Sequence, residues 1–210
     1  MDKSTMQRNN KRIGLMGGTF DPVHYGHLVT AEEARCQFGM EKVIFIPAGK
    51  PPHKTRKNIS QPRHRLEMTW RAVGSNPDFT VSDQEIKREG LSYTVDTIQA
   101  FREQYEGWDI YFITGADAVL EILTWKKVEE LLRKCCFVAA SRPGFRLESM
   151  GEELTRLPAE CTGRIKTLEV PALAISSTNI RQRVRDGRPI RYLLPEAVKD
   201  YIYRHGLYTD

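Results

Sequence analysis

The chain has 210 residues, of which 40% are hydrophobic and 28% charged, a composition typical of a globular protein and not of a disordered one. No apolar run approaches the roughly 20 residues of a membrane-spanning helix, and the polar N-terminus does not resemble a signal peptide. The formal net charge of +5 fits an anionic small molecule as well as it fits nucleic acid.

The cysteines show no regular spacing of the kind that zinc sites and disulfide frameworks need. There is no CxxC pair, and two of the four are adjacent. We therefore expect reduced thiols in a cytoplasmic protein. The four residues are Cys36, Cys135, Cys136 and Cys161.

Segments typical of strands and helices alternate along the chain. Apolar and β-branched runs predict strands at residues 12–17, 42–47, 79–82, 108–114, 135–140 and 164–170. Apolar residues at helical spacing predict helices at residues 26–38, 62–74, 92–105, 117–123, 128–132, 179–186 and 195–205.

This alternation predicts an α/β fold with a parallel sheet, doubly wound and Rossmann-like. We expect one domain, residues 12–210, after a polar extension, residues 1–11. The irregular stretches 49–62 and 143–158 do not resemble domain linkers. Ligands of such sheets bind beyond the carboxyl ends of the strands, so residues that follow strands are the first candidates for a site.

The first predicted strand runs into the string GGTFDPVHYGHL, residues 17–28. It matches neither GxGxxG nor the GxxxxGK[ST] phosphate loop. Gly17 and Gly18 nevertheless let the backbone approach a ligand closely. His24 and His27 share one face at the start of a predicted helix, whose free N–H groups attract phosphate. Both imidazoles are placed there to stabilise charge on phosphate oxygens.

Two other interpretations of this string stay open. The histidines would also suit a half-exposed turn that binds nothing. Asp21, His24 and His27 are potential metal ligands, but no fourth ligand has an evident spacing. We therefore expect no metal held by these side chains.

A second string, ISSTNIR at residues 175–181, follows a predicted strand and opens a predicted helix. Serine and threonine hydroxyls are common helix caps, and alone this string indicates only a helix start. Arg181, however, carries a planar fork that can grip two phosphate oxygens.

Together the two strings resemble the HxGH and ISSTxIR signatures of the nucleotidyltransferase superfamily. More of the chain, from about residue 12 to residue 208, resembles bacterial nicotinate-nucleotide adenylyltransferases, although Met16 stands where an aromatic residue is common in that family. The segments that carry this second resemblance are IPAGKPPHK (46–54), SYTVDTI (92–98), FITGADAVLEILTW (112–125), SRPG (141–144) and LLPEAVKDYIYRHGLY (193–208).

The resemblance implies an ATP site in which His24, His27 and Arg181 are the catalytic groups. Asp117 follows a predicted strand, where a carboxylate suits a ribose hydroxyl and also suits a helix N-cap. The other residues assigned to ATP are Gly17, Gly18, Thr19, Phe20, Gly115, Ser141, Arg142, Ser176, Ser177 and Ile180.

The second substrate is expected to be an anionic mononucleotide. Residues 42–66 contain Lys and Arg but no Asp or Glu. In this stretch Lys50, His53 and Lys54 are assigned to a substrate phosphate or carboxylate, although a solvated basic loop would have the same composition. Thr94 and Trp125 are assigned to a flat carboxylated ring, with core packing as the alternative for Trp125.

The resemblance therefore implies transfer of AMP from ATP to nicotinate mononucleotide, giving deamido-NAD and pyrophosphate, with Mg²⁺ carried on the ATP phosphates. The alternative within the fold is a transferase that uses nicotinamide mononucleotide or pantetheine phosphate. The alternative outside it is an RNA-binding module, which would need aromatic residues interleaved on a basic face. We expect no nucleic-acid or membrane partner, and a homo-oligomer stays open.

Overall fold

The computed structural model describes residues 10–51, 59–141, 156–171 and 174–209. The strands β1 to β6 are Arg12–Gly18, Lys42–Pro47, Phe79–Val81, Asp109–Gly115, Cys136–Ser141 and Ile165–Glu169. The helices α1 to α9 are Tyr25–Gln37, Pro62–Val73, Gln84–Lys87, Thr94–Gln104, Ala116–Leu120, Val128–Lys134, Ala159–Thr162, Ser177–Arg185 and Glu196–Arg204. A 3₁₀ turn, Ile122–Thr124, follows α5.

The six strands form one parallel sheet in the order β3-β2-β1-β4-β5-β6. β1 is central, and its Leu15 lies between Ile44 of β2 and Phe112 of β4. The strand order reverses between β1 and β4, and this switch point is where doubly wound sheets bind ligands. The predicted α/β, Rossmann-like fold is confirmed.

The side chains of β1 point alternately to the two faces of the sheet and so contribute to the core on both sides. Ile13 and Leu15 face a cluster that includes α4 and α6, whereas Met16 faces a cluster that includes α1, α2, α8 and α9. Because both faces of the sheet are covered, its central strands are apolar on both sides, as expected of a parallel sheet.

All the predicted strands are present, with bounds that differ by at most one residue at either end. The predicted helix at 117–123 is in fact α5 and the separate 3₁₀ turn. α3 and α7 were not predicted, because four residues make only one turn and show no periodic signal. The single domain at 12–210 stays a prediction, and residues 1–9 of the extension lie outside the described part.

The thiols of all four cysteines are free, and Cys135 and Cys161 are buried. Burial raises the pKa of Cys135, so this thiol stays protonated and packs as a small apolar group. Among the helices that the structure describes, none is long and apolar enough to cross a membrane.

Candidate active site

Two clefts open at the carboxyl edge of the sheet, on opposite faces of β1. The first has a volume of about 490 Å³ and lies between the ends of β1, β4 and β5 and the first turns of α1 and α8. The second has a volume of about 210 Å³ and lies between the ends of β1, β2 and β4 and the start of α4. Both adjoin the switch point of the sheet.

Seven of the fourteen residues predicted to bind ATP line the first cleft. Their polar groups face apolar walls, a combination typical of small-molecule sites. The predicted residues found there are His24, His27, Gly115, Asp117, Ser141, Ser176 and Ser177. The residues that line this cleft but were not predicted as site residues include Met16, Val29, Val170, Pro171 and Ile175.

The two histidines form a stacked pair at the start of α1. Their ring centroids are 3.8 Å apart, and the angle between the ring planes is 28°. The backbone N–H of His24 donates to Nδ1 of His27 at 3.2 Å. Since Nδ1 of His27 accepts this bond, the neutral ring carries its proton on Nε2. His27 is thus a fixed ring that can donate to an anion from Nε2.

Phe20 packs against His27 of this pair. Its backbone has φ of +50°, and its buried ring meets His27 edge to face, with the centroids 5.1 Å apart. A Cβ on Gly18 would lie 2.8 Å from the Phe20 ring, so only glycine fits under it. Phe20 is not among the residues that line either cleft. Its predicted contact with ATP stays a prediction.

The hydroxyls of the ISSTNIR string fasten the start of α8. Oγ of Ser176 accepts from the backbone N–H of Asn179 at 3.2 Å and caps the helix. Oγ of Ser177 donates to the Pro22 carbonyl at 2.8 Å. The second bond attaches α8 to the loop before α1, so both signature strings meet at one side of the first cleft.

Arg181 lies behind this junction and is 3% exposed. Nη1 donates to the backbone carbonyl of Asp21, and Nη2 donates to Oγ1 of Thr178 at 3.0 Å. Neither Arg181 nor the buried Ile180 is among the residues that line the first cleft. A grip of Arg181 on phosphate stays a prediction, and in this structure its guanidinium holds the Asp21 loop.

Asp21 joins this loop to the end of the chain. Its carboxylate accepts from the hydroxyl of Tyr208 at 2.7 Å and from the backbone N–H of Ser60 at 3.3 Å. Burial raises the pKa of Tyr208, and Asp21 raises it further, so the phenol stays protonated as the donor. Asp21 therefore has a structural role. The described residues contain no group of three or more His, Cys, Asp or Glu that could hold a metal ion.

The second cleft contains both residues predicted to bind a flat carboxylated ring, Thr94 and Trp125. Thr94 is the first residue of α4, where backbone N–H groups have no partner within the helix and favour an anion. Trp125 packs edge to face against Phe112 and Phe137, at centroid distances of 6.1 and 5.8 Å. Its indole thus belongs to the core and lines the cleft at once.

The end of β1 connects the two clefts. Gly17, Gly18 and Thr19, predicted to bind ATP, line the second cleft. Lys50 is exposed at the end of β2, whereas the predicted site residues His53, Lys54 and Arg142 lie outside the described part of the chain.

Three charged residues of this region were not predicted as site residues. Lys126 lines the second cleft, with its ammonium 4.2 Å from the centroid of the Tyr93 ring. Glu85 lines the same cleft and is 7% exposed. Arg65, 1% exposed, was counted only within the basic stretch. A lone charged residue in a sequence carries no signal that it is buried.

Arg65 connects the loops that follow β1 and β2. Nη1 donates to the carbonyl of Thr19 at 2.9 Å, and Nη2 donates to the carbonyl of Gly49 at 3.2 Å. Nε donates to the carbonyl of Ser60 at 3.0 Å. Three strong donors in a rigid fork thus fix three segments of backbone relative to one another.

Residues 15–183 match the cytidylyltransferase-like family. The chain is 59% identical to the probable nicotinate-nucleotide adenylyltransferase of Moorella thermoacetica, over 94% of this chain and 91% of that one. It is 56% identical to the protein of the same name from Thermoanaerobacter sp., over 94% of each chain. The chain therefore belongs to the cytidylyltransferase-like family and, within it, to the nicotinate-nucleotide adenylyltransferases.

The fold is similar to that of a solved structure from Plasmodium falciparum, the nicotinic acid mononucleotide adenylyltransferase complexed with NaAD. The TM-score is 0.77 at 21% identity, and the match covers 95% of this chain and 98% of that one. At this identity the likeness supports the fold alone.

Proposed function

We propose that this protein transfers AMP from ATP to nicotinate mononucleotide, giving deamido-NAD and pyrophosphate. The observation that carries the proposal is the meeting of two different clefts at the end of β1. One contains the histidine pair, and the other contains the start of α4 and an indole. The names of relatives that are 56 and 59% identical over most of the chain support the same reaction.

ATP occupies the first cleft in this proposal. The base and ribose lie along the apolar wall and Asp117, and the phosphates reach the histidine pair. Nε2–H of His27 then donates to a phosphate oxygen at the start of α1, where the helix dipole favours an anion. Mg²⁺ enters as part of the substrate, bound to the ATP phosphates, and neutralises part of their charge.

Nicotinate mononucleotide occupies the second cleft. The pyridine ring stacks on Trp125, and its carboxylate accepts hydrogen bonds at the start of α4, where Thr94 lies. Its phosphate then points toward Gly17, Gly18 and Thr19, where the two clefts meet. This arrangement brings the acceptor phosphate to the α-phosphorus of ATP.

The reaction is an in-line displacement. A phosphate oxygen of the mononucleotide forms a bond to the α-phosphorus, and the bond from that phosphorus to the bridging oxygen of pyrophosphate breaks. Because the nucleophile is already an anion, no general base is needed. Catalysis then depends on positioning and on charge stabilisation by His24 and His27.

The proposal is tested by incubating the protein with ATP, Mg²⁺ and one acceptor at a time. Nicotinate mononucleotide is expected to give pyrophosphate and a product with the mass of deamido-NAD. Pantetheine phosphate and nicotinamide mononucleotide serve as the competing acceptors. Titration with single-stranded RNA tests the remaining alternative. Efficient turnover of pantetheine phosphate, or tight RNA binding without turnover of any acceptor, would overturn the proposal.

Gly26→Ala is expected to lower kcat on the order of tenfold. A Cβ at this position would come within 3.0 Å of Cε1 and Nδ1 of His24, so the ring must move by a few tenths of an ångström. Small misplacements of a catalytic group are costly when the reaction depends on positioning. Steady-state kinetics measure the effect. Gly163→Ala is the control, since a Cβ there meets nothing closer than 4.0 Å; equal kcat in both variants would contradict the prediction.

Arg181→Lys is expected to lower kcat/KM for ATP roughly tenfold although the charge is kept. An ammonium cannot reproduce the planar fork that reaches both the Asp21 carbonyl and Thr178. Kinetics with varied ATP measure the loss. Arg185→Lys, a change at an exposed arginine of the same helix, is the control. Wild-type kinetics in the Arg181 variant would show that the fork is dispensable.

A further inference from the structure

A buried hydrogen-bond network lies beside the second cleft, between the segment that follows β2 and the start of α4. Ala48 and Pro51, at the two ends of that segment, line the cleft. Gly49 and Lys50, between them, are bonded to residues of the α3–α4 region. The network thus connects two walls of the same cleft.

Ser92 is the link between these walls. Its Oγ accepts from the backbone N–H of Gly49 at 3.0 Å and from that of Lys50 at 3.2 Å. Its own backbone N–H donates to the Lys50 carbonyl at 2.9 Å. A hydroxyl has two lone pairs and one proton, so a hydroxyl that accepts twice still has its proton available to donate.

The buried carboxyl group of Glu85 lines the same cleft as Ser92. Its Oε1 accepts a hydrogen bond from Oγ1 of Thr97 at 2.7 Å. Thr97 in turn accepts from Nη1 of Arg88 at 3.1 Å. The Thr97 hydroxyl therefore donates to the carboxyl group, and the remaining proton of the Ser92 hydroxyl has this carboxyl group as a nearby acceptor in the wall of the cleft. Burial raises the pKa of Glu85, and the hydrogen bond from Thr97 opposes this shift.

Gly49 is also confined from its other sides. A Cβ there would lie 2.2 Å from the backbone oxygen of Glu85, so no other residue fits. Its carbonyl accepts from Nη2 of Arg65. Ser92, Arg65 and the backbone of Glu85 therefore fix the position of Gly49.

We propose that Glu85 is a positioning residue for the acceptor mononucleotide, acting through Ser92 on the wall formed by Ala48 and Pro51. It does not touch the substrate; it holds this wall at a fixed distance from Thr94, on the opposite side of the cleft. The proposal rests on the proposed function, since it assigns the second cleft to the mononucleotide.

Glu85→Gln is the decisive substitution because it keeps the shape of the side chain. It places an NH₂ donor where one hydroxyl now donates, so Ser92 or Thr97 must give up a bond. We expect KM for nicotinate mononucleotide to rise on the order of tenfold, while KM for ATP changes less than about twofold. Glu89→Gln, an exposed change in the same segment, is the matched control.

A double-mutant cycle tests whether Glu85 acts through Ser92. Ser92→Ala is expected to raise the same KM, and the double variant is expected to be no worse than Ser92→Ala alone. Additive effects would show that Glu85 acts by another route. Equal changes in both KM values, or loss of thermal stability with normal KM values, would show a merely structural role.

Amide hydrogen exchange gives a readout that does not depend on turnover. Protection of the Gly49 and Lys50 amides is expected to fall in Glu85→Gln and to persist in Glu89→Gln. Unchanged protection would overturn the positioning role even in an active enzyme. Failure of the wild-type protein to make deamido-NAD would instead overturn the proposed function. The exchange result does not depend on turnover, so the two failures can be told apart.

Discussion

Replacing His27 with alanine is expected to lower kcat by about 10²–10³-fold, the usual cost of losing one preorganised donor at a developing charge. The ring is held between His24 and Phe20, and its Nδ1 accepts a backbone hydrogen bond. Its orientation is therefore set before ATP arrives. Because the phosphate nucleophile needs no base, the loss is expected to come from weaker stabilisation of charge on the phosphate oxygens.

The matched control for this change is His205→Ala, an exposed histidine after α9 that lines neither cleft. It should keep wild-type kcat. Thermal unfolding of both variants separates loss of chemistry from loss of fold. A folded His27→Ala protein with wild-type turnover would remove the histidine pair from the mechanism.

Nicotinate mononucleotide is expected to be preferred over its amide by roughly 10²-fold or more in kcat/KM. Donors at the start of α4 suit a carboxylate, which accepts stronger hydrogen bonds than a neutral amide does. The amide would also turn its NH₂ group toward donors and leave them unpaired, at about 1–3 kcal/mol each. Two such mismatches are enough, since about 1.36 kcal/mol is tenfold in rate.

Ionic strength separates this explanation from general attraction to a basic protein. Salt screens exposed charges such as Lys50, but it acts little on hydrogen bonds inside a cleft. The preference should therefore persist when kcat/KM for both acceptors is measured at low and high salt. Equal values for acid and amide would leave adenylyl transfer in place but would show that the acceptor is not selected at Thr94.

The fold was largely predictable because its signals are local. The run KVIFIP predicted β2 with the bounds that the structure shows, and the glycines at the end of β1 marked the edge where ligands bind. The signature strings at residues 17–28 and 175–181 were each predicted at a helix start, and both lie there. Their meeting at one cleft follows from topology, since parallel strands bring their carboxyl ends to one edge.

The supporting network was not predictable from the sequence, because bonds such as Arg65 to Thr19 and Gly49 to Ser92 join residues 46 and 43 positions apart in the chain. Arg65 looked like one more charge in a basic loop, yet it is buried against three backbone carbonyls. Glu85 lies in a one-turn helix with no periodic pattern. The contact of Arg181 with phosphate stays a prediction, whereas its hydrogen bond to the Asp21 carbonyl, 160 positions away in the chain, had no signal in the sequence.

The assignment of ATP to the first cleft and the mononucleotide to the second is tested most directly by Gly115→Leu. Gly115 lines the first cleft with φ of −69°, which any residue adopts, and a Cβ there meets no atom within 4 Å. Leucine should therefore fill space in the cleft without straining the backbone.

Both Michaelis constants of Gly115→Leu should be measured beside those of Gly163→Leu, which adds the same side chain away from the clefts. The predicted result is a rise in KM for ATP on the order of tenfold or more, with KM for nicotinate mononucleotide and thermal stability nearly unchanged. An unchanged KM for ATP, or a rise confined to the mononucleotide, would contradict the two-cleft assignment.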